Sequence, residues 1–295
     1  MATQQKKWVE TARRYRTYIK VEKRLSENSV EAYMRDLEQF AHFVLVKWDV
    51  PPRKVEREMV ERYLEWLYDE GREKSSQARM LSGIRSFFNY LLLNDEIQSS
   101  PAEDISAPKT NRTLPDVLTT DEIDRLIASI EVDTVKGRRD RAMIEVLYSC
   151  GLRVSELISL RMSDLFFGEG YIRVIGKGNK ERLVYFDART KIHLQNYLSC
   201  RADSNPALFV SLKAPYDRLM IGGVETRLRE LGKRLNLPKV HPHKFRRTLA
   251  TSAIDKGMPI EQVQQLLGHQ KIDTTMHYAM VKQQNVKLAH RKYIG

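Results

Sequence analysis

Tyr171-Ile172-Arg173-Val174-Ile175 and Arg182-Leu183-Val184-Tyr185-Phe186 flank the segment Gly176-Lys177-Gly178-Asn179-Lys180-Glu181. Both runs are rich in β-branched and aromatic residues and a glycine-rich turn joins them, so they read as a hairpin. Here the hydrophobic period changes. On the N-terminal side, Thr120 caps a helix containing Ile123, Leu126 and Ile127; Met143, Ile144, Leu147 and Tyr148 form another, ended by Gly151; Leu157 and Leu160 continue into a third. Beyond the hairpin helices return, with Gly257, Pro259 and Gly268 as stop, start and stop. This half of the chain is expected to be mostly helical with a small antiparallel β-sheet.

The first hundred residues show helical spacing throughout. Trp8, Ala12, Tyr15 and Ile19 mark one helix. Asn28 with Glu31 fits an N-cap and its acidic N3 partner ahead of Tyr33, Met34, Leu37, Phe40, Ala41 and Val44. Val60, Tyr63, Leu64 and Leu67 mark a third; Ala78, Leu81, Ile84, Phe88 and Leu91 a fourth. A bundle of four or five helices accounts for this pattern. Pro101, Pro108 and Pro115 then break the periodicity among polar residues. The expected domains are 1–106 and 118–295, joined by a linker at 107–117.

A length of 295 residues suits two domains. Two cysteines, Cys150 and Cys200, make neither a disulfide framework nor a metal spacing, and are read as reduced core thiols of a cytoplasmic protein. There is no apolar run of about 18 residues to span a membrane. Met1 to Lys7 lack the apolar region of a secretion signal. The net charge of +12 suits a polyanionic partner. It is unevenly placed: residues 1–110 hold 19 Lys+Arg against 18 Asp+Glu, and residues 111–295 hold 31 against 20. The second half is therefore expected to grip phosphates.

That half also carries the residues suited to phosphoryl chemistry. Arg153 lies in Gly151-Leu152-Arg153-Val154-Ser155-Glu156-Leu157. A guanidinium holds two phosphate oxygens in a fixed fork, which lysine cannot do. His243 and Arg246 are three apart at a helix start and share a face. His269 follows Gly268, and Tyr278 comes nine residues later. A phenol has a reference pKa of about 10, so ionising one at pH 7 costs roughly 4 kcal/mol, which cations and a general base must supply. Lysines in the hairpin turn can deliver a proton into a groove on a flexible stem. His241-Pro242-His243 raises the thought of a metal, but no cysteine or carboxylate stands at ligand spacing.

In order and local spacing these pieces resemble the tyrosine recombinases, most closely the Xer-like members; the heptapeptide at Arg153 matches the first-arginine motif residue for residue. The resemblance covers the whole chain and implies the tyrosine recombinase fold: a helical core-binding (SAM-like) domain followed by a mostly helical catalytic domain, mainly α in class (α+β). It implies Tyr278 as nucleophile, Arg153, Arg246 and His269 on the phosphate oxygens, Lys177 as acid to the leaving 5′-oxygen and His243 as proton acceptor. Glu156 would orient the arginines. Arg79, Ser82 and Arg85 would meet the DNA from the bundle, and Lys180, Arg182, Lys244 and Arg247 from the second domain; Arg247 stands where the family often has histidine. No cofactor and no metal is implied. Partners would be a double-stranded recombination site and three further protomers or a related recombinase, with Val281, Val286, Leu288 and Ala289 docking into a neighbour. The setting would be chromosome dimer resolution or movement of a mobile element. Two rivals remain: a type IB topoisomerase, which relaxes DNA by the same chemistry, and a non-catalytic DNA-binding module.

Overall fold

A computed structural model describes residues 2–108, 116–176, 180–269, 271–276, 278 and 291. Two compact units divide the chain at Arg112 and Thr113. Of the stretch 107–117, residues 109–115 lie outside the described set.

The first unit contains α1 (Ala2–Thr17), α2 (Glu27–Trp48), α3 (Arg57–Asp69) and α4 (Lys74–Leu93), with a π-helical extension of α1 at Tyr18–Glu22. Their apolar stripes converge on an aromatic core. Trp8 stacks on Phe87 at 5.8 Å, and Phe40 meets Tyr63 edge-on at 5.1 Å. Burying each such ring stabilises the bundle by about 1.5–3 kcal/mol. The expected cap at Asn28 is displaced: α2 begins at Glu27 and Ser26 is its N-cap residue. The Ser26 hydroxyl pairs with Ser29 Oγ, and Glu31 turns outward to Arg16.

The polar face of α4 also differs from expectation. Arg85 donates through Nε to the carbonyl of Ala102 at 3.0 Å and through Nη2 to that of Ile105. It ties the segment after α4 back onto the bundle, so its guanidinium is engaged within the unit. Arg79 pairs with the buried carboxylate of Asp36 while keeping an exposed surface, and Ser82 is exposed.

The second unit runs α5 (Thr120–Ala128), α6 (Val135–Cys150), α7 (Val154–Ser159), β1 (Leu165–Phe166), β2 (Tyr171–Ile175), β3 (Glu181–Tyr185), α8 (Ala188–Leu198), α9 (Ile221–Arg234), α10 (Pro242–Asp255), α11 (Ile260–Leu267) and α12 (Ile272–Met276). A reciprocal capping box, Thr119 with Glu122, starts α5 one residue before the expected cap. The strands form one antiparallel sheet in the order β1-β2-β3. Val174 faces Arg182 across β2 and β3, and Ile172 faces Val184. Ile172, Val174 and Val184 are buried, so this face of the sheet looks into the core. Buried α6 supplies Met143, Ile144, Val146, Leu147 and Cys150 to that core. Among the described residues, no helix is long and apolar enough to cross a membrane.

Arg85→Ala removes two charge-assisted bonds and strands the carbonyls of Ala102 and Ile105. Urea unfolding should show a loss of about 1–3 kcal/mol; a variant as stable as wild type would mean that these bonds contribute nothing.

Candidate active site

The site is built outward from Glu156. Gly151 ends α6 with φ +60°, and a Cβ there would lie 2.7 Å from Leu249 Cδ2. A left-handed turn without a side chain therefore delivers the chain to Arg153 at the head of α7. The Glu156 carboxylate reaches back to the Arg153 N–H at 2.8 Å, half of a capping box, and also accepts from Arg153 Nη1 at 2.8 Å. From β3, Arg182 donates both terminal nitrogens to the two Glu156 oxygens at 2.9 Å each. Glu156 is 4% exposed. Burial alone would raise its pKa, but the bonds from Arg182 and the Arg153 backbone, with the charges of both arginines, hold it down to about 2. Glu156 therefore stabilises the fold above its ordinary range, and this contribution fades as pH falls towards 2.

Arg246 sits one turn into α10, 2% exposed. Its Nη1 donates to the Gly151 carbonyl at 2.6 Å and its Nη2 to that of Leu267 at 2.5 Å. It thus bolts the ends of α6 and α11 together. Burial, then repulsion from Arg153, lowers its pKa to about 10, still charged at neutral pH. His243 lies three residues earlier, an exposed residue whose ring is partly desolvated by its neighbours. That desolvation, followed by the charges of Arg247, Arg246 and Arg153, lowers its pKa.

Gly268 caps α11 at φ +63° and leads into His269. His269 Nδ1 lies 2.8 Å from the hydroxyl of Thr275, which is fully buried. Thr275 also accepts the Tyr278 N–H on its carbonyl at 2.9 Å. Burial, then Arg246, Arg153 and Arg182, lowers the His269 pKa to about 4. The Tyr278 ring stacks beside His269, centroids 6.1 Å apart at 28°, and packs on a small apolar cluster of Ala250, Ala253, Val263 and Leu267. Thr275 escaped the sequence reading. A buried threonine in a five-residue helix has no spacing signal, and only its contacts reveal it.

An open cleft of about 590 Å³ is lined by Arg153, Lys180, Arg182, His269 and Lys271 among others. Arg246, His243 and Tyr278 are not in its lining, although Arg246 bonds the carbonyl of Leu267, the residue before lining Gly268. Lys177 lies outside the described residues. Two of the expected DNA contacts have partners within the unit. Lys244 is 1% exposed, and its ammonium pairs with Asp116 at 2.8 Å, inside the unit. Arg182 is spent on Glu156, because its place beside Val184 in the strand alternation turns it inward. Lys180 is exposed and Arg247 half-buried. The rings of His241 and His243 stand 6.4 Å apart, and among the described residues no group of three or more His, Cys, Asp or Glu is placed to hold a metal.

A helical unit is thus followed by a second unit in which guanidinium groups cluster next to a histidine and a tyrosine. Residues 116–285 match the phage integrase family, and residues 12–94 match the phage integrase N-terminal SAM-like domain. Tyrosine recombinase XerC of Leptospira interrogans is 37% identical over 288 residues, covering 96% of this chain and 92% of its own. Tyrosine recombinase XerD of Listeria monocytogenes serotype 4b is 34% identical over 286 residues, covering 94% and 95%. Among solved structures, XerA recombinase superposes with a TM-score of 0.54 at 27% identity, covering 97% of this chain and 98% of its own. XerH superposes at 0.75 with 21% identity, covering 90% and 79%, and shares the fold. The chain belongs to the phage integrase family, among its Xer-like tyrosine recombinases. It is a site-specific recombinase of the tyrosine type.

The depressed His269 pKa sets a pH dependence. Between about 6.5, the unfolded value, and about 4 the unfolded chain binds more protons, so His269 subtracts stability as pH falls through that window. His269→Gln lacks this penalty. Thermal melts from pH 7 to pH 4.5 should show wild type losing Tm faster than the variant; parallel curves would place the His269 pKa near its ordinary value.

Proposed function

We propose that this chain cuts and rejoins DNA strands at a specific site, with the Glu156-centred arginine cleft holding the scissile phosphate. The Tyr278 oxygen attacks phosphorus and the phosphorus–O5′ bond breaks. This leaves a 3′-phosphotyrosyl link and a free 5′-hydroxyl. Arg153, Arg246 and His269 meet the charge of the pentacoordinate state, which preorganised donors stabilise most when they need not rearrange. A Thr275 hydroxyl that donates to Nδ1 leaves the proton of a neutral His269 on Nε2, aimed outward as a donor. His243, whose depressed pKa keeps it neutral at pH 7, accepts the phenolic proton, and Lys177 protonates the leaving 5′-oxygen. The 5′-hydroxyl of a partner strand reverses the step through a Holliday junction. Bond energy is conserved in the covalent link, so the cycle needs no nucleotide and no metal.

The observation that supports this reading is the convergence of Arg153, Arg182 and His269 on one cleft, the two arginines tied together by buried Glu156 and the histidine stacked beside Tyr278. In the free chain the Tyr278 ring rests on Ala250, Ala253, Val263 and Leu267. Attack therefore requires DNA or a neighbouring protomer to draw it towards the cleft. The first unit acts as the core-binding domain, with Arg79 and Ser82 at the duplex, while Lys180 and Arg247 add phosphate contacts from the second. Assembly is as four protomers on two sites, or with a related recombinase, in the cytoplasm. XerH, which shares the fold, has been solved on its difH substrate in a post-cleavage complex. The XerC and XerD relatives favour chromosome dimer resolution as the setting.

A nicked suicide substrate made from genomic fragments the protein selects tests this reading. Wild type should accumulate a covalent protein–DNA adduct, and Tyr278→Phe should bind equally well and form none. Adduct formation by the phenylalanine variant would remove Tyr278 from the role. Lys177→Ala should cleave an ordinary phosphodiester slowly but regain wild-type rate on a 5′-bridging phosphorothiolate, whose thiolate leaves without a proton. Equal defects on both substrates would assign the acid elsewhere.

A further inference from the structure

Arg182 joins three separate parts of the candidate site. Its terminal nitrogens hold both oxygens of Glu156, the carboxylate that also binds Arg153. Its Nε donates to the Leu266 carbonyl at 3.3 Å, next to the carbonyl that receives Arg246. Its aliphatic stem lies against Gly268, where an added Cβ would stand 3.0 Å from Arg182 Cδ and 3.1 Å from Nε. The side chain is 13% exposed, and two carboxylate bonds and a carbonyl bond occupy all three guanidinium nitrogens. Arg153 is thus joined to this guanidinium through Glu156, the histidine turn touches its stem at Gly268, and Arg246 bonds the carbonyl one residue beyond the one it holds.

Strand geometry explains why β3 supplies it. Arg182 pairs with Val174 and shares the inward face with Val184, both buried. A residue on that face points towards α7 and the end of α11; Arg182 lines the cleft there with all three of its nitrogens already bonded within the unit. The same strand begins directly after Lys180, so Arg182 is the anchor of the hairpin limb nearest its tip.

We propose that Arg182 is a positioning residue for the strand-cleavage reaction: it locks the hairpin, the Arg153–Glu156 pair and the Gly268-His269 turn into one rigid frame and makes no phosphate contact. This rests on the recombinase reading above. A guanidinium is required, because a lysine ammonium cannot span two carboxylate oxygens and a carbonyl in one plane. Loss of the frame lets the phosphate ligands drift, and a misplacement of about 1 Å costs on the order of 100-fold in rate.

The test compares Arg182→Gln and Arg182→Lys with wild type on the suicide substrate, under single turnover with DNA saturating. The proposal expects adduct formation to slow by about 100-fold in both variants, with dissociation constant and salt slope unchanged. A phosphate-contacting arginine predicts otherwise: weaker binding, a salt slope shallower by about 0.9, and substantial rescue by lysine. That pattern, or a cleavage rate within twofold of wild type, would overturn the proposal. Should either variant lose stability, the double variant Glu156→Gln with Arg182→Gln decides: a positioning role through Glu156 predicts a cleavage defect no larger than that of Glu156→Gln alone, and independent defects that multiply would sink it. Failure of wild type to form any adduct would instead strike the recombinase reading itself.

Discussion

Positive charge cannot be gathered at one point in a protein without something to hold it there. Arg153, Arg182 and Arg246 repel one another, and Arg246 is buried as well, so water screens little of that repulsion. The Glu156 carboxylate resolves the conflict. It takes two bonds from Arg182 and two from Arg153, one of them to the backbone. Desolvating a carboxylate is costly, and a buried ion pair is not in general a source of stability. Here its consequence is geometric: the cationic groups are set in place with positive charge to spare. On the reading proposed above, a phosphodiester entering the cleft would meet an arrangement whose organisation cost was met during folding.

The backbone completes that arrangement. Arg246 spends two donors on the carbonyls that end α6 and α11. Both ends are capped by left-handed glycines; a side chain at Gly151 would collide with Leu249, and one at Gly268 would crowd Arg182. Helix termini leave carbonyls without intrahelical partners. The guanidinium satisfies them and is itself fixed. Thr275 performs the same service for His269 while its carbonyl holds the Tyr278 backbone. The Tyr278 ring lies outside the cleft lining, on its own apolar cluster, which makes its approach a step separate from charge organisation.

Much of this was legible in the chain because local chemistry writes it there. The change of period at Tyr171 predicts the hairpin, and Gly151 and Gly268 announce the helix ends that become φ +60° and +63°. What escaped depends on tertiary contact. Lys244 is a basic residue between His243 and Phe245, and nothing local distinguishes a solvated lysine from one buried on Asp116. Arg85 lies on the polar side of α4, yet its partners are carbonyls 17 and 20 residues onward. The strand alternation that turns Arg182 inward was readable, since Arg182 and Val184 lie two apart on one face of the expected strand, but its partners Glu156 and Leu266 come from distant helices. The caps of α2 and α5 each moved by one or two residues, because neighbouring hydroxyls compete for the same orphan N–H groups.

The central claim is that an ionised carboxylate at Glu156 organises the site before DNA arrives. Carbon-13 NMR of the side-chain carboxyl of Glu156, titrated in the free protein from pH 7 to pH 3.5, addresses it directly. The account predicts that this carboxyl stays ionised across the range, consistent with a pKa of about 2. A midpoint near the ordinary glutamate value of about 4.3 would contradict it, showing a solvated side chain and arginines left to find their own places.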